Sequence, residues 1–354
     1  MDDLTRDLTC HLVETPRLTM NVWTGGPEDG TPVLLVHGNI TTGGYWRYVA
    51  HHLPPDVRVI APDMRGFGRT EAKPIDATRG LADMADDVHG LLEVLGLTGA
   101  GTLVAAGWSM GGGVLQQYVL DHPGDLGAVV LVAPVSPYGF GGTVDADGTA
   151  AYDDHAGSGG GTASPVFVQQ VKDGDRSDTP GRPRDVLRTY FGARGNADQV
   201  DEDFLLDESL LTVVGDDFYP GSTRTSENWP GVAPGDTGVL NAMAAGFFDA
   251  SGLPDVEPKP AITWVRAMQD QVISDTSGFD LALLGQLGAV PGWPGADVMP
   301  PQPMHQQIQR VLDRYAANGG SVRVVTLDDV AHGVPLEAPQ AVADAIAAHL
   351  HDPS

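Results

Sequence analysis

Short apolar runs alternate along the chain with segments in which apolar residues recur every three or four positions. The runs have the length of buried strands and lie at residues 33–37, 57–61, 102–106, 128–133, 261–265 and 322–327. From Leu81 to Leu95 the apolar spacing is that of an amphipathic helix. This alternation predicts an α/β protein with parallel strands, joined by right-handed crossovers and buried on both faces. Residues 8–13 and 17–24 predict an antiparallel pair at the edge of the sheet.

The segment Gly107-Trp108-Ser109-Met110-Gly111 lies where a predicted strand meets a predicted helix, Met110 to Leu120. A serine in so tight a turn is held in a strained backbone conformation, with its hydroxyl exposed at the carboxyl edge of the sheet. Glycines on either side leave room for the neighbouring backbone. Because the helix amino terminus lies beneath the hydroxyl, N–H groups there can meet a developing negative charge. We therefore predict that Ser109 is a nucleophile.

The first long apolar run ends in His37-Gly38. A loop that leaves a strand here can point a backbone N–H, which we expect to be that of Ile40, at the carbonyl oxygen of a bound ester. The second donor is expected to be the N–H of Met110, the residue after the nucleophile. These two groups form the predicted oxyanion hole.

His332 lies in a loop after the last predicted strand and before a predicted helix, Pro335 to Leu350. A histidine there can take the Ser109 proton and return it to a leaving group near neutral pH. We predict that His332 is the general base.

A base of this kind needs an acidic partner that fixes its tautomer. Asp270 follows the strand at 261–265 and is the predicted partner. Asp275, Asp328 and Asp329 are rivals, which we interpret as solvated or capping carboxylates. In the segment that begins at Asp63, that residue and Arg65 are expected to hold a turn through charge-assisted hydrogen bonds rather than to touch substrate.

These segments resemble landmarks of the α/β-hydrolase superfamily, and they cover about three fifths of the chain. The order Ser109, Asp270, His332 is the superfamily's order of nucleophile, acid and histidine. The resemblance implies the α/β-hydrolase fold, with a mostly parallel eight-stranded sheet flanked by helices and the site at the carboxyl ends of the strands.

The resemblance also divides the chain. Residues 1–135 and 261–354 are expected to form the catalytic core, and 136–260, far longer than a loop, an inserted helical cap. Cap helices are predicted at 184–191, 202–214 and 238–250. The interval from Asp270 to His332 is about double that of simple members of the family, which leaves the acid less firmly assigned.

The predicted function is hydrolysis of carboxylic esters through an acyl-enzyme on Ser109. A lactonase, a carbon–carbon bond hydrolase or a perhydrolase would use the same groups. A non-catalytic small-molecule receptor of this fold is an alternative from another class. Specificity depends on the packing of the cap, so the sequence leaves the small-molecule ester or lactone substrate unidentified.

The composition of the chain restricts the classes of binding partner that we expect. The net charge of −27 argues against nucleic acid and anionic membranes. High-salt adaptation and a GC-rich genome remain alternative explanations of this acidity. The acidic start, Met1 to Leu4, and the absence of a long apolar run predict a cytoplasmic protein. The single cysteine, Cys10, rules out an internal disulfide framework. No cofactor or metal ion is predicted, since no segment has the required spacing of ligands, and the oligomeric state stays open.

Overall fold

The computed structural model describes residues 7–192 and 200–350. The Met1 to Leu4 segment considered above lies outside these residues. The described residues form the strands β1 Thr9–Glu14, β2 Thr19–Gly25, β3 Thr31–Val36, β4 Val57–Pro62, β5 Leu103–Trp108, β6 Leu126–Val132, β7 Val214–Gly215, β8 Tyr219–Pro220, β9 Thr223–Thr225, β10 Val232–Pro234, β11 Ala261–Ala267 and β12 Val322–Leu327.

Eight of these strands form one sheet in the order β1-β2-β4-β3-β5-β6-β11-β12. Strand β2 pairs antiparallel with both β1 and β4, and all other pairs in the sheet are parallel. The predicted eight-stranded, mostly parallel sheet with an antiparallel edge is therefore confirmed.

Both faces of the central strands are buried. In β3, Leu34 and Val36 belong to one hydrophobic cluster, whereas Val33 and Leu35 belong to the other. Successive side chains of a strand point to opposite faces, so an unbroken apolar run requires a covering layer on each side.

Helices supply those layers. The described residues form the helices α1 Arg47–His52, α2 Ala82–Val94, α3 Met110–Asp121, α4 Pro165–Lys172, α5 Pro183–Tyr190, α6 Glu202–Ser209, α7 Val239–Ala242, α8 Leu281–Gln286, α9 Met304–Ala317, α10 Val334–Glu337 and α11 Pro339–Ala347. Helices α2, α3 and α9 pack on one face of the sheet, and α1 and α11 pack on the other. In the described part of the chain, no helix combines the length and the apolar character that a membrane span requires.

The segment between β6 and β11 contains less helix than predicted. Helix α5 matches the prediction at 184–191, but α6 ends at Ser209 rather than 214, and α7 covers only four residues of the predicted 238–250. Within α7, the Asn241 side chain bonds loop backbone at Gly160 N, Ser222 O and Thr237 O. The last predicted helix is divided into α10 and α11 just before Pro339, which has no N–H to continue a helix.

One polar side chain, that of Glu208, ties this segment to the loops after β3 and β4. Glu208 of α6 is buried and accepts two hydrogen bonds from the Arg69 guanidinium, at 2.8 and 3.0 Å. It also accepts a 2.7 Å bond from the Thr42 hydroxyl. Because Thr42 lies in the loop after β3, α6 is fastened to the same loop that carries Ile40.

A buried network of amide side chains forms a second tie. Gln302 accepts a 2.6 Å bond from the Gly141 N–H and donates a 2.7 Å bond to Gln307. The Ser136 hydroxyl donates a 2.6 Å bond to Gln307, and the Gln302 N–H donates to Asp280 at 2.8 Å. The network joins the start of the 136–260 segment to α9 and to the stretch between β11 and α9.

Candidate active site

Ser109 lies between β5 and α3 with φ +56° and ψ −116°. This is the strained turn predicted for it, since few L-residues other than asparagine and aspartate adopt a positive φ. A Cβ at Gly107 would lie 2.3 Å from Gly111 O, and one at Gly111 would lie 2.1 Å from Val36 O. Neither contact is sterically allowed, so the turn needs both glycines.

The structure brings His332 and Asp270 to this serine from distant parts of the chain. His332 Nε2 lies 2.9 Å from Ser109 Oγ, and His332 Nδ1 lies 2.8 Å from Asp270 Oδ2. The histidine and aspartate are buried. A carboxylate only accepts hydrogen bonds, so Nδ1 carries the hydrogen and Nε2 is left to accept from the serine hydroxyl.

The sheet explains why these residues meet. Strands β5, β6, β11 and β12 are consecutive parallel neighbours, so their carboxyl ends lie at one edge. Ser109 follows β5, Asp270 follows β11 and His332 follows β12. The second oxygen of Asp270 accepts from the N–H groups of Val272 and Ile273, at 2.7 and 2.8 Å. Two backbone N–H groups therefore hold the Asp270 carboxylate, and this carboxylate orients the His332 imidazole toward the serine.

The structure places the rival carboxylates elsewhere. Asp275 accepts bonds from the backbone N–H groups of His305 and Gln306 at the start of α9, at 2.8 and 3.3 Å. Asp328 and Asp329 are exposed. Only Asp270, among the four candidates, bonds the His332 ring.

The loop after β3 lies against the serine. A Cβ at Gly38 would be 3.3 Å from Ser109 Cβ. His37 is buried, and its ring braces the loop by accepting from Met64 N–H at 2.8 Å and donating to Gly38 O at 2.7 Å. Burial lowers the pKa of His37 to about 4, so the ring is neutral near pH 7.

Ile40 lies in this loop with φ +56°, and Met110 is the first residue of α3. The backbone N–H groups of both have no hydrogen-bond partner within residues 7–192 and 200–350. The first N–H groups of a helix have no intrahelical acceptor, which leaves that of Met110 free to meet an oxygen of another molecule. Both N–H groups can therefore serve as donors to a ligand.

Asp63 and Arg65 have the structural contacts that their positions predicted. Asp63 accepts bonds from the side chains of Asn21 and Trp23, at 2.8 and 3.1 Å. The Arg65 guanidinium makes two bonds to Asp87, at 2.5 and 2.6 Å. These bonds tie the loop after β4 to β2 and to α2.

Two aromatic residues beside His332 were missed by the sequence analysis. Trp108 Nε1 donates a 2.8 Å bond to His332 O, and the two ring centroids are 5.7 Å apart. Phe191, at the end of α5, has its ring centroid 6.0 Å from that of His332 and 5.6 Å from that of Trp108. Trp108 stood inside the recognised segment, but Phe191 had no local signal, since its position depends on how the 136–260 segment packs.

In the described part of the chain, no group of three or more His, Cys, Asp or Glu side chains is arranged to hold a metal ion. The chemistry that the site can perform with its own groups is transfer of a proton from Ser109 to His332.

Comparison with known proteins agrees with this architecture. Residues 31–159 match the family described as alpha/beta hydrolase fold. The chain is 33% identical over 123 residues to a cis-3-alkyl-4-alkyloxetan-2-one decarboxylase from Xanthomonas campestris pv. campestris, over 33% of this chain and 40% of that protein. It is 34% identical over 109 residues to a 2-hydroxy-6-oxo-6-phenylhexa-2,4-dienoate hydrolase from Burkholderia cepacia, over 30% of this chain and 37% of that protein. The chain thus spans about two fifths of the length of these relatives.

An esterase from Exiguobacterium antarcticum is similar over nearly the whole chain. The match has a TM-score of 0.58 and 16% identity, and it covers 97% of this chain and 100% of that one. At this identity the likeness shows a shared fold and leaves the activity open. With the matched segment and the eight-stranded sheet, it shows that this chain has the α/β-hydrolase fold.

Proposed function

We propose that the protein is a serine hydrolase that cleaves carboxylic esters through an acyl-enzyme. In this proposal Ser109 is the nucleophile, His332 the general base and Asp270 its acidic partner. The observation that carries it is the unbroken line from Asp270 Oδ2 through both His332 nitrogens to Ser109 Oγ, with contacts of 2.8 and 2.9 Å. These distances are within the reach that proton transfer to and from a nucleophile requires.

In the first half of the reaction, Ser109 Oγ attacks the acyl carbon of the ester while its proton passes to His332 Nε2. The carbonyl oxygen becomes an oxyanion, which accepts hydrogen bonds from the N–H groups of Ile40 and Met110. When the intermediate collapses, the bond from the acyl carbon to the alkoxy oxygen breaks. His332 gives its proton to that oxygen, so an alcohol leaves and the acyl group stays on Ser109.

In the second half, a water molecule replaces the alcohol. His332 takes a proton from the water, whose oxygen attacks the acyl carbon. The new intermediate collapses, the proton returns to Ser109 Oγ, and a carboxylic acid leaves. Asp270 stays ionised throughout and stabilises the imidazolium in each half.

We also propose that residues 136–260 form a cap over this site on the core of residues 1–135 and 261–354. Phe191 supports this assignment, because its ring packs against His332 and Trp108 from the inserted segment. The substrate is then a small-molecule ester, or a lactone, that fits beneath the cap.

Carbon–carbon bond hydrolysis is the second candidate. It is favoured by the 34% identity to the dienoate hydrolase from Burkholderia cepacia over 109 residues. Parallel assays on p-nitrophenyl esters of increasing acyl length, on lactones and on a dienone substrate distinguish these activities.

The deciding experiment is labelling with a fluorophosphonate, which reacts with an activated serine. We expect stoichiometric labelling and ester turnover in the wild-type protein, and the loss of both in Ser109→Ala. Ser177→Ala, at an exposed position outside the site, is the matched control and should keep both. An S109A variant that retains most of its ester turnover would overturn the proposal, and absent labelling with a bound ligand would favour a receptor.

A further inference from the structure

A second carboxylate, Glu337, touches the loop that carries His332. It is the last residue of α10, and its Oε2 accepts a 3.1 Å bond from the Ala331 N–H. The Gly333 N–H lies on the other side of His332 and favours the charged form of this carboxylate, which lowers its pKa. The side chain therefore holds the histidine loop at the residue that precedes His332.

The carboxylate is enclosed as well as bonded. A Cβ at Gly192, just after α5, would lie 2.1 Å from Glu337 Cγ, so only glycine allows this approach. The other oxygen, Oε1, is buried and has no hydrogen-bond partner among the described residues. A buried acceptor left without a partner destabilises the fold. The stability of the loop alone therefore does not explain why a glutamate is buried at position 337.

The charges around Glu337 point to His332. Burial raises the pKa of Glu337, and the negative charge of Asp270 adds to this effect, whereas the two backbone N–H groups and His332 oppose it. Gly192, which packs against the carboxylate just after the end of α5, carries no charge. Among these groups, His332 is the one that becomes positively charged when it gains a proton, and that charge attracts the Glu337 carboxylate.

We propose that Glu337 is a positioning residue for His332: its carboxylate fixes the histidine loop and stabilises the imidazolium that forms when Ser109 loses its proton. This role rests on the proposed function, since it takes His332 as the base. It adds a second negative charge to the one that Asp270 supplies at Nδ1. The two carboxylates differ in that Glu337 bonds the loop backbone and Asp270 bonds the ring.

The test is Glu337→Gln, which keeps a carbonyl oxygen for the loop and removes the charge. A lost negative charge disfavours the imidazolium. We therefore expect the acidic limb of the kcat/KM profile to move about one unit to lower pH, and kcat at the plateau to fall about tenfold. Glu337→Asp keeps the charge, so its acidic limb should stay near that of the wild type although the loop bonds weaken.

The matched control is Glu227→Gln, which changes the net charge equally at an exposed site. It should move neither the acidic limb nor kcat. If E337Q has the pH profile and the kcat of this control, Glu337 has no role beyond folding and the proposal is overturned.

An NMR titration separates this proposal from the function itself, because it needs no turnover. The midpoint of the His332 imidazole titration should fall by about one unit in E337Q. In the wild-type protein, the Glu337 13Cδ resonance should show a second inflection at the His332 midpoint, since the coupling is reciprocal. Absence of that inflection overturns the proposal even if E337Q does not fold. An inflection in a protein that hydrolyses no ester would instead overturn only the proposed function.

Discussion

Asp270 and Asp275 lie in one loop after β11 and have different contacts. Asp270 is buried, bonds His332 Nδ1 and accepts from two backbone N–H groups. Asp275 accepts instead from N–H groups at the start of α9. An aspartate therefore orients an imidazole at position 270 and accepts from the first N–H groups of a helix at position 275. The difference arises because the two positions contact different elements.

This difference is testable with two matched substitutions. Asp270→Asn places an amide where Nδ1–H needs an acceptor and favours the wrong tautomer of His332, so kcat should fall by about 10³- to 10⁴-fold. Asp275→Asn removes the same charge but keeps an acceptor for the α9 N–H groups, and its kcat should stay within about twofold. Steady-state kinetics on one ester decide, and a D270N enzyme as active as D275N would remove Asp270 from the proposed mechanism.

A second residue-scale prediction concerns pH and His37. The folded protein holds His37 neutral, with a pKa lowered to about 4 from an ordinary value of 6.5. As the pH falls through this interval, the unfolded chain binds the proton and the folded one does not, so stability is lost. The loss attributable to this group is about 3 kcal/mol between pH 7 and pH 4.

The variant His37→Gln cannot take up that proton. Urea unfolding at pH 7 and pH 4 should show a smaller loss for it than for the wild type, by about 3 kcal/mol. Equal losses in the two proteins would mean that His37 is not the titrating group. The carboxyl groups that also titrate in this range are common to both proteins.

At this scale the sequence predicted that Ser109, Asp270 and His332 lie close together, because each lies in the turn or loop after a predicted strand and the carboxyl ends of parallel strands share one edge. It did not predict Phe191 or Glu337. Their contacts with the His332 loop depend on how α5 packs and on the single turn of α10, and neither leaves a pattern along the chain.

Among the elements, α6 carries the clearest tie between the 136–260 segment and the loops after β3 and β4. Glu208 reaches both Arg69 and Thr42, and its side chain is 3% exposed, whereas that of Arg69 is 44% exposed. Removing the partner of the Glu208 carboxylate would cost stability, because this carboxylate is buried. Solvent screens the charge of the exposed Arg69 guanidinium, which weakens the ion pair. The contacts therefore hold α6 beside the loop of Ile40 with moderate strength.

Glu208→Gln should therefore lower the free energy of unfolding by about 1–3 kcal/mol, because Arg69 and Thr42 lose a charged acceptor. Chemical denaturation measures this value. Glu93→Gln, at a side chain that is 55% exposed, is the control and should change it by less than about 0.5 kcal/mol. If both variants unfold at the same denaturant concentration, the Glu208 contacts contribute no net stability.

The ends of helices were predicted correctly where the local sequence determines them. Helix α3 begins directly after Ser109, as the elbow segment predicted, and α2 matches its apolar spacing. The break before Pro339 was not predicted, because the predicted helix ran from Pro335 to Leu350 although proline has no N–H to continue a helix. The sequence did not predict the short α7, whose Asn241 side chain bonds backbone groups at Gly160, Ser222 and Thr237.

For the whole molecule, the alternation of apolar runs and helical spacing predicted the class of fold, and the sheet confirms it. The net charge of −27 acts at this scale too. Like charges over the surface repel one another and weaken the compact state, and salt shortens the reach of that repulsion. The exposed ion pairs, such as Arg310 with Asp147, offset it little.

We therefore expect the melting temperature at pH 7 to rise by several degrees as NaCl is raised from about 0.1 to about 1 M, where the Debye length falls from about 10 to about 3 Å. Calorimetry measures this shift. Near the isoelectric point of about 4.4, the same salt series should have little effect. A melting temperature that falls with salt at pH 7 would show that ion pairs outweigh the repulsion.

The amide network of Gln302 and Gln307 has a consequence for engineering this protein. Its partners come from the beginning of the 136–260 segment and from the stretch between β11 and the first turn of α9, and each amide is oriented by the other. Grafting either stretch alone from a homologue would leave buried donors and acceptors without partners in the recipient. Chimeras intended to transfer selectivity should thus exchange both stretches together.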